Sequence, residues 1–550
     1  MPNLELQRRP RQQHTHLWIA AGVFTVSVLL ALATIPWDVL TDLGASLSFQ
    51  LLCWSVGFII VVSGSSGQQF RLGDPGPLVF AICFLYLIYP SLLWCSVQRL
   101  PFGVVLSTGD AGLLFRMHGV FLLALATAYR ISRTDRRVSI DHQPQTLPSP
   151  RALLLASLSL LAVTTILRLA TGGEFIPTAN YSSNWFAHQS AVASSRLQGG
   201  VSYILTQILS KVSIYPDTVL GLACGLLLGK AIRTRSKLGT QRTLWVVAAL
   251  ALLTYLLGDG ARSPVLHAMT LTIMFADLIA GPIKLKSIAP AIALLLLAFV
   301  FAGYFRTYRD LGLADATTMA VQDLRSNDQQ AISGEFFSML SKEATIVELY
   351  RSSKPEGLTY LTQSVLELVP SQLLPQKLGW DRAASVLSER FLGSAAAIGA
   401  GVAGTTIGDG YRFGGAFGVA ILGCIFGGIL GIVQRWSMHI HAGTKSGPVL
   451  LKLALAASFY SLGFVVVRAS LGEMLVYLLY GIVLPWLVLS NLIAKPSPWL
   501  ARAPRRKVAL GQFSWLALQD SVSALTRIPQ RLINLQITNR ASNWRHTSAS

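Results

Sequence analysis

Apolar runs of 16 to 21 residues recur along this whole chain, and their length decides the architecture. About 20 apolar residues cross the roughly 30 Å hydrocarbon layer as a helix, and a helix satisfies its own backbone polar groups there. Twelve runs have this character: 17–35, 43–63, 77–95, 111–129, 152–170, 216–232, 243–258, 264–281, 288–305, 414–433, 449–467 and 473–493. A thirteenth apolar piece, 199–214, is interrupted by Lys211 and closed by Pro216. Charged residues are only 13% of the 550 positions, against roughly 25% for soluble domains. The expected class is an all-α polytopic membrane protein.

Short loops set the orientation. Arg8, Arg9 and Arg11 precede the first span, and Arg130, Arg133, Arg136 and Arg137 follow the fourth. Arg233, Arg235, Lys237 and Arg242 follow 216–232, Lys284 and Lys286 follow 264–281, and the tail beyond 493 has nine Lys or Arg against one acid, Asp520. The alternate short loops hold only Arg99, Arg196 and Arg468. Positive charge accumulates on the cytoplasmic side, so both termini are expected there. Residues 199–232 must then cross once, which makes 199–214 re-entrant or interfacial. Arg8-Arg9 before Ala31-Leu32-Ala33 also fits a secretory leader, but the second span follows so closely that an uncleaved helix is preferred.

The formal charge of +20 is therefore largely cytoplasmic. It suits anionic membrane lipids as partners, not nucleic acid, and Trp515, Leu518, Val522 and Leu525 recur at the spacing of a helix lying on the membrane. The five cysteines lie in or at the ends of apolar runs, a placement that fits buried thiols better than a disulfide framework.

The segment 306–413 leaves the membrane on the other side and carries ten Lys or Arg and twelve Asp or Glu. Helices are expected from about Ser333, as N-cap, to Tyr350 and from Leu358 to Leu368, stopped by Pro370. Glycine is so dense from Ser394 to Phe417 that a broken helix is expected there. Seven arginines gather near this membrane plane: Arg116, Arg168, Arg262, Arg306, Arg309, Arg412 and Arg468. Any one of them can snorkel to headgroups. Seven on the side where cations are disfavoured point to an anion, and the planar guanidinium fork suits phosphate oxygens.

No Asp-x-Asp pair is present to hold a metal, and His439-x-His441 is expected in a cytoplasmic turn. No cofactor is called for: arginines can stabilise a departing pyrophosphate, leaving a base for an attacking hydroxyl. Asp409, Asp259, Asp310 and His267 are the candidates, with Asp409 set in Gly408-Asp409-Gly410-Tyr411-Arg412.

Three stretches resemble the O-antigen polymerase (Wzy-type oligosaccharide repeat-unit polymerase) family. They are Gly260-Ala261-Arg262-Ser263-Pro264, then Gly357-Leu358-Thr359-Tyr360 with Pro370-Ser371-Gln372-Leu373-Leu374-Pro375, and Thr405 to Gly418. In the last, Asp409 stands where the family's pattern carries Glu. The resemblance implies a glycosyltransferase-C-like fold and an inverting, metal-independent glycosyl transfer at the bacterial inner membrane. It implies undecaprenyl-pyrophosphate-linked glycans as substrates and a chain-length regulator as partner. Arg262, Arg306, Arg309, Arg412 and Arg116 would bind pyrophosphate, with Arg262 and Arg306 also catalytic. Asp409 would orient or deprotonate the acceptor, and His267, Asp310 and Tyr411 are further candidates. On this reading 1–305 holds spans one to nine, 306–413 is a periplasmic loop domain, 414–493 holds spans ten to twelve, and 494–550 is a basic cytoplasmic tail. An O-antigen ligase, or a lipid-linked oligosaccharide flippase or other transporter, remains an alternative.

Overall fold

The computed structural model describes residues 37–62, 75–100, 103–133, 147–148, 216–234, 271–277, 311–326, 330–351, 354–366, 382–392, 404–442, 470–475 without 473, and 496–497, with isolated residues between. All lie in one compact unit formed by Met1–Pro282 and Leu295–Ala503. The expected spans 17–35, 243–258, 288–305 and 449–467, the piece 199–214 and the tail fall outside the described residues, as do nearly all of 152–170 and 473–493.

Four helices among the described residues are long and apolar enough to cross a membrane: Thr41–Val62, Gly76–Val97, Thr108–Arg133 and Thr406–Arg435. The chain is a multi-pass, all-α membrane protein. In chain order the helices are α1 Trp37–Val62; α2 Pro75–Cys83, a π-helical turn Phe84–Ile88 and α3 Tyr89–Val97, which together make one span; and α4 Thr108–Arg133. They continue with α5 Pro216–Thr234, α6 Leu313–Ser326, α7 Gln330–Tyr350, α8 Leu358–Leu366, α9 Arg382–Leu392 and α10 Thr406–Ala442. A two-residue antiparallel ladder joins Leu147–Pro148 to Pro496–Ser497, so the loop after α4 meets the start of the tail.

Local chemistry explains the ends of α4. Asp110 N–H donates to Ser107 Oγ at 3.2 Å, while the Ser107 hydroxyl donates to Asp110 Oδ2 at 2.6 Å, a reciprocal cap. Arg130 and Arg133 occupy its last turn, where cations complement the helix dipole, and Arg133 donates to Val61 O at the end of α1.

Small residues set the helix order. Along α1 and α4, Gly112 packs on Leu43 and Ser46, then Gly119 on Phe49 and Cys53. Along α4 and α10, Gly423 packs on Phe121 and Ala124, Gly427 on Leu125, and Gly431 on Tyr129 and Ser132. Numbers rise together in both pairs, so α1, α4 and α10 run parallel, while the Pro75–Val97 span returns between them. Glycine every fourth residue lets two backbones approach more closely than any side chain allows, and dispersion grows as they do.

The broken helix expected in the glycine-dense region is present. Helix α10 starts at Thr406, not at 414, and its path breaks at Gly414 and Gly415, where Gly415 takes φ 61°. One other expectation changes. Helix α7 begins at Gln330 and runs through Ser333, which is not its cap. Along its later turns Met339, Leu340, Ser341, Glu343, Ala344, Thr345, Ile346 and Val347 are buried, while Glu348 is exposed. Arg351 meets Asp110 at 3.2 Å and Glu343 meets His118 at 2.7 Å, so α7 runs antiparallel to α4, down into the bundle. His118 lies ten residues past Thr108, about 15 Å along the helix and near its middle.

Candidate functional site

Arg412 ends the first arm of α10, just before the glycine break, and is 2% exposed. Its Nη2 donates to Glu356 Oε2 at 3.2 Å and Oε1 at 3.5 Å. The guanidinium stacks over the rings of Tyr360, 4.5 Å from the centroid, and Tyr350, 5.4 Å away. The backbone closes the same contact: Glu356 N–H donates to Arg412 O at 2.8 Å and Gly357 N–H to Phe413 O at 3.1 Å. The turn between α7 and α8 is thus stitched to the start of α10 by charge, ring faces and main chain together.

Asp409 sits one turn earlier and is fully buried. Thr405 caps that turn, accepting from Gly408 N–H through Oγ1 at 3.0 Å and from Asp409 N–H through its carbonyl at 2.8 Å. Asp409 Oδ2 accepts Leu471 N–H at 2.5 Å, a donor at the start of a short helical turn, where no backbone carbonyl within that turn can reach it. Its Oδ1 lies 3.9 Å from Arg412 Nη1, whose guanidinium lies over the Tyr360 ring. Burial first, then the Asp409 charge, pushes the Tyr360 hydroxyl well above the ordinary tyrosine range, so that it stays a proton donor. The site therefore pairs a carboxylate that can accept a hydroxyl proton with a cation that can face an anion. Here both engage internal partners.

The structure brings Asp409 and Arg412 together. Tyr411 packs against the cluster of Ile346, Tyr350 and Leu387. Arg116 is exposed on α4, with Nε on Gly112 O at 3.1 Å, two residues from His118 and so on a different side of the helix. Arg262, Arg306, Arg309, Asp310 and His267 lie outside the described residues.

A second polar cluster has no counterpart in the sequence reading. His118 and Glu343, each 1% exposed, are joined Nε2 to Oε2. His118 Nδ1 lies 2.8 Å from Gln50 Nε2, whose two hydrogens are shared among that nitrogen, Leu87 O at 3.0 Å and Ser91 Oγ at 3.2 Å. The Leu87 carbonyl fixes which end of the Gln50 amide faces inward, so Nδ1 accepts and Nε2–H donates to Glu343. Leu87 belongs to the π-helical turn, and the Ser91 hydroxyl bonds the same carbonyl at 2.7 Å. The one available signal was a lone histidine and a lone glutamine in apolar spans, whose partner lay 225 residues away. Among the described residues no group of three or more metal-ligating side chains is gathered.

No protein-family model, curated protein or solved structure matches the chain.

Proposed function

We propose that the chain is a membrane glycosyl polymerase. It moves a growing glycan from one undecaprenyl pyrophosphate to a sugar hydroxyl of the next lipid-linked repeat unit, on the periplasmic side. One observation carries the reading. Two of the three polymerase-like stretches, Gly357 to Tyr360 and Thr405 to Gly418, are some fifty residues apart in the chain yet interlock, Gly357 with Phe413 and Tyr360 with Arg412.

On this reading Asp409 takes the proton of the acceptor hydroxyl. The oxygen attacks the anomeric carbon, and the bond to pyrophosphate breaks with its electron pair leaving on the phosphate. Arg262, Arg306 and Arg309 meet the charge that develops there. Arg412 holds the carboxylate and the turn after α7 in place, and the acceptor reaches Asp409 when Tyr360 and α8 move aside.

Extension of undecaprenyl-linked repeat units by purified protein tests this directly. Arg262→Ala, Arg306→Ala and Arg309→Ala should each slow extension about 10²- to 10³-fold at unchanged membrane levels, the usual loss when one oxyanion contact is removed. Asp409→Asn should lose rate and still bind lipid. Wild-type rates in all four would place the active centre elsewhere, and single repeats delivered to lipid A core would make the protein a ligase.

Orientation is tested separately, in a version lacking the five native cysteines. Leu358→Cys, on an exposed position of α8, should react with an impermeant thiol reagent in intact cells, and Ser139→Cys should not. The reverse pattern would invert the topology.

A further inference from the structure

Away from Asp409 and Arg412, four polar side chains from four helices meet inside the bundle: Gln50 of α1, Ser91 of α3, His118 of α4 and Glu343 of α7. Ionisable groups in a membrane interior are costly and mark places where something is bound or passed. The hydrogen bonds here are unbalanced in one direction. The Gln50 amide hydrogens, both His118 nitrogens and the Ser91 hydroxyl are engaged. Glu343 Oε1 and Gln50 Oε1 are buried with no partner among the described residues, and both are acceptors. They belong to groups on opposite sides of one imidazole ring. A ligand carrying several hydroxyls supplies the missing donors.

Two neighbouring features point the same way. Trp94 and Phe115, one turn from Ser91 and His118, are buried and touch edge to face at 6.2 Å, and aromatic rings are groups against which the C–H face of a sugar packs. The π-helical turn Phe84–Ile88 turns the Leu87 carbonyl to the cluster, and such turns recur at functional sites.

We propose that this cluster is a sugar-hydroxyl subsite in which Glu343 Oε1 and Gln50 Oε1 accept from two hydroxyls while His118 fixes the carboxylate. It rests on the polymerase reading and states where the glycan is recognised. The sugar enters beside α7, which among the described residues is the wall not built from the four apolar spans.

The experiment compares two ligands on protein in nanodiscs: lipid-linked oligosaccharide extracted from the producing cells, and bare undecaprenyl pyrophosphate. Glu343→Gln should weaken the glycan-bearing lipid tenfold or more, about the loss for a hydrogen bond to a charged group, and leave the bare lipid unchanged. Gln50→Met removes the other acceptor without touching α7 and should cost about fivefold on the same ligand alone. Seating of α7 is read from a cysteine probe, Ser341→Cys, at a fully buried position that should stay protected from thiol reagents in each variant. Equal loss on both ligands, or no loss in either variant, overturns the subsite and leaves the cluster a helix anchor. Tight binding of sodium or another cation at the cluster, lost in Glu343→Gln, overturns it in favour of an ion site. If wild-type protein binds neither lipid, the polymerase reading fails and the subsite with it.

Discussion

Arg412→Ala should lose most of the folded protein, not only its activity. The guanidinium is buried between two tyrosine rings and faces two carboxylates, Glu356 and Asp409. Removing one member of a buried pair leaves the other charge uncompensated, at about 3–5 kcal/mol. The side chain of Glu356 is 26% exposed, which holds the loss toward the low end of that range, while Asp409 has no route to water. Two ring contacts are lost as well. Arg412→Lys should recover little, since one ammonium cannot lie flat between Tyr350 and Tyr360 while reaching Glu356. The measurements are yield from membranes and the temperature of aggregation in detergent. An alanine variant as stable as the parent would mean that the cage around Arg412 carries no stability. From sequence alone this arginine belongs with those at a wet boundary, where truncation leaves folding nearly unchanged. Burial removes it from that group.

The second large effect is expected from a single methyl group. In Gly427→Ala the new Cβ would run into the main-chain carbonyl of Leu125, and backbone cannot step aside as a flexible side chain can. Overpacking a well-filled interface costs about 1–3 kcal/mol, and against main chain on two parallel helices the upper end applies. Its neighbour is the control: in Gly428→Ala the nearest atom is Ser132 Oγ at 3.6 Å, an ordinary contact. Gly427→Ala should aggregate at lower temperature and be cut faster by trypsin, with Gly428→Ala indistinguishable from the parent. If the two behave alike, close approach of α4 and α10 does not hold the bundle together.

Much of the architecture was legible because membrane crossing is a one-dimensional constraint. The apolar runs 43–63, 77–95 and 111–129 correspond to spans Thr41–Val62, Gly76–Val97 and Thr108–Arg133 because a slab of fixed thickness asks only for length and apolarity. The break near Gly414 was legible for a similar reason: two adjacent glycines in a dense run weaken the helix wherever they stand. The spacing of Gly423, Gly427 and Gly431 was also in plain view, but spacing does not name the partner helix.

What tertiary structure alone decided concerns polar groups. Periodicity reports how a segment meets an average environment, and α7, with Glu343 and Lys342 in its middle, reads as a helix in water. Its buried carboxylate, Glu343, meets one specific donor, His118, offered at matching height by α4. The same holds for Arg412, whose cage comes from Tyr350, Glu356 and Tyr360 on other elements. A charge in a sequence has a sign but no partner. Which carboxylate or ring it meets is set by the packing of helices far apart in the chain, 225 residues for His118 and Glu343, and that pairing decides whether it binds a ligand, holds a loop or caps a helix.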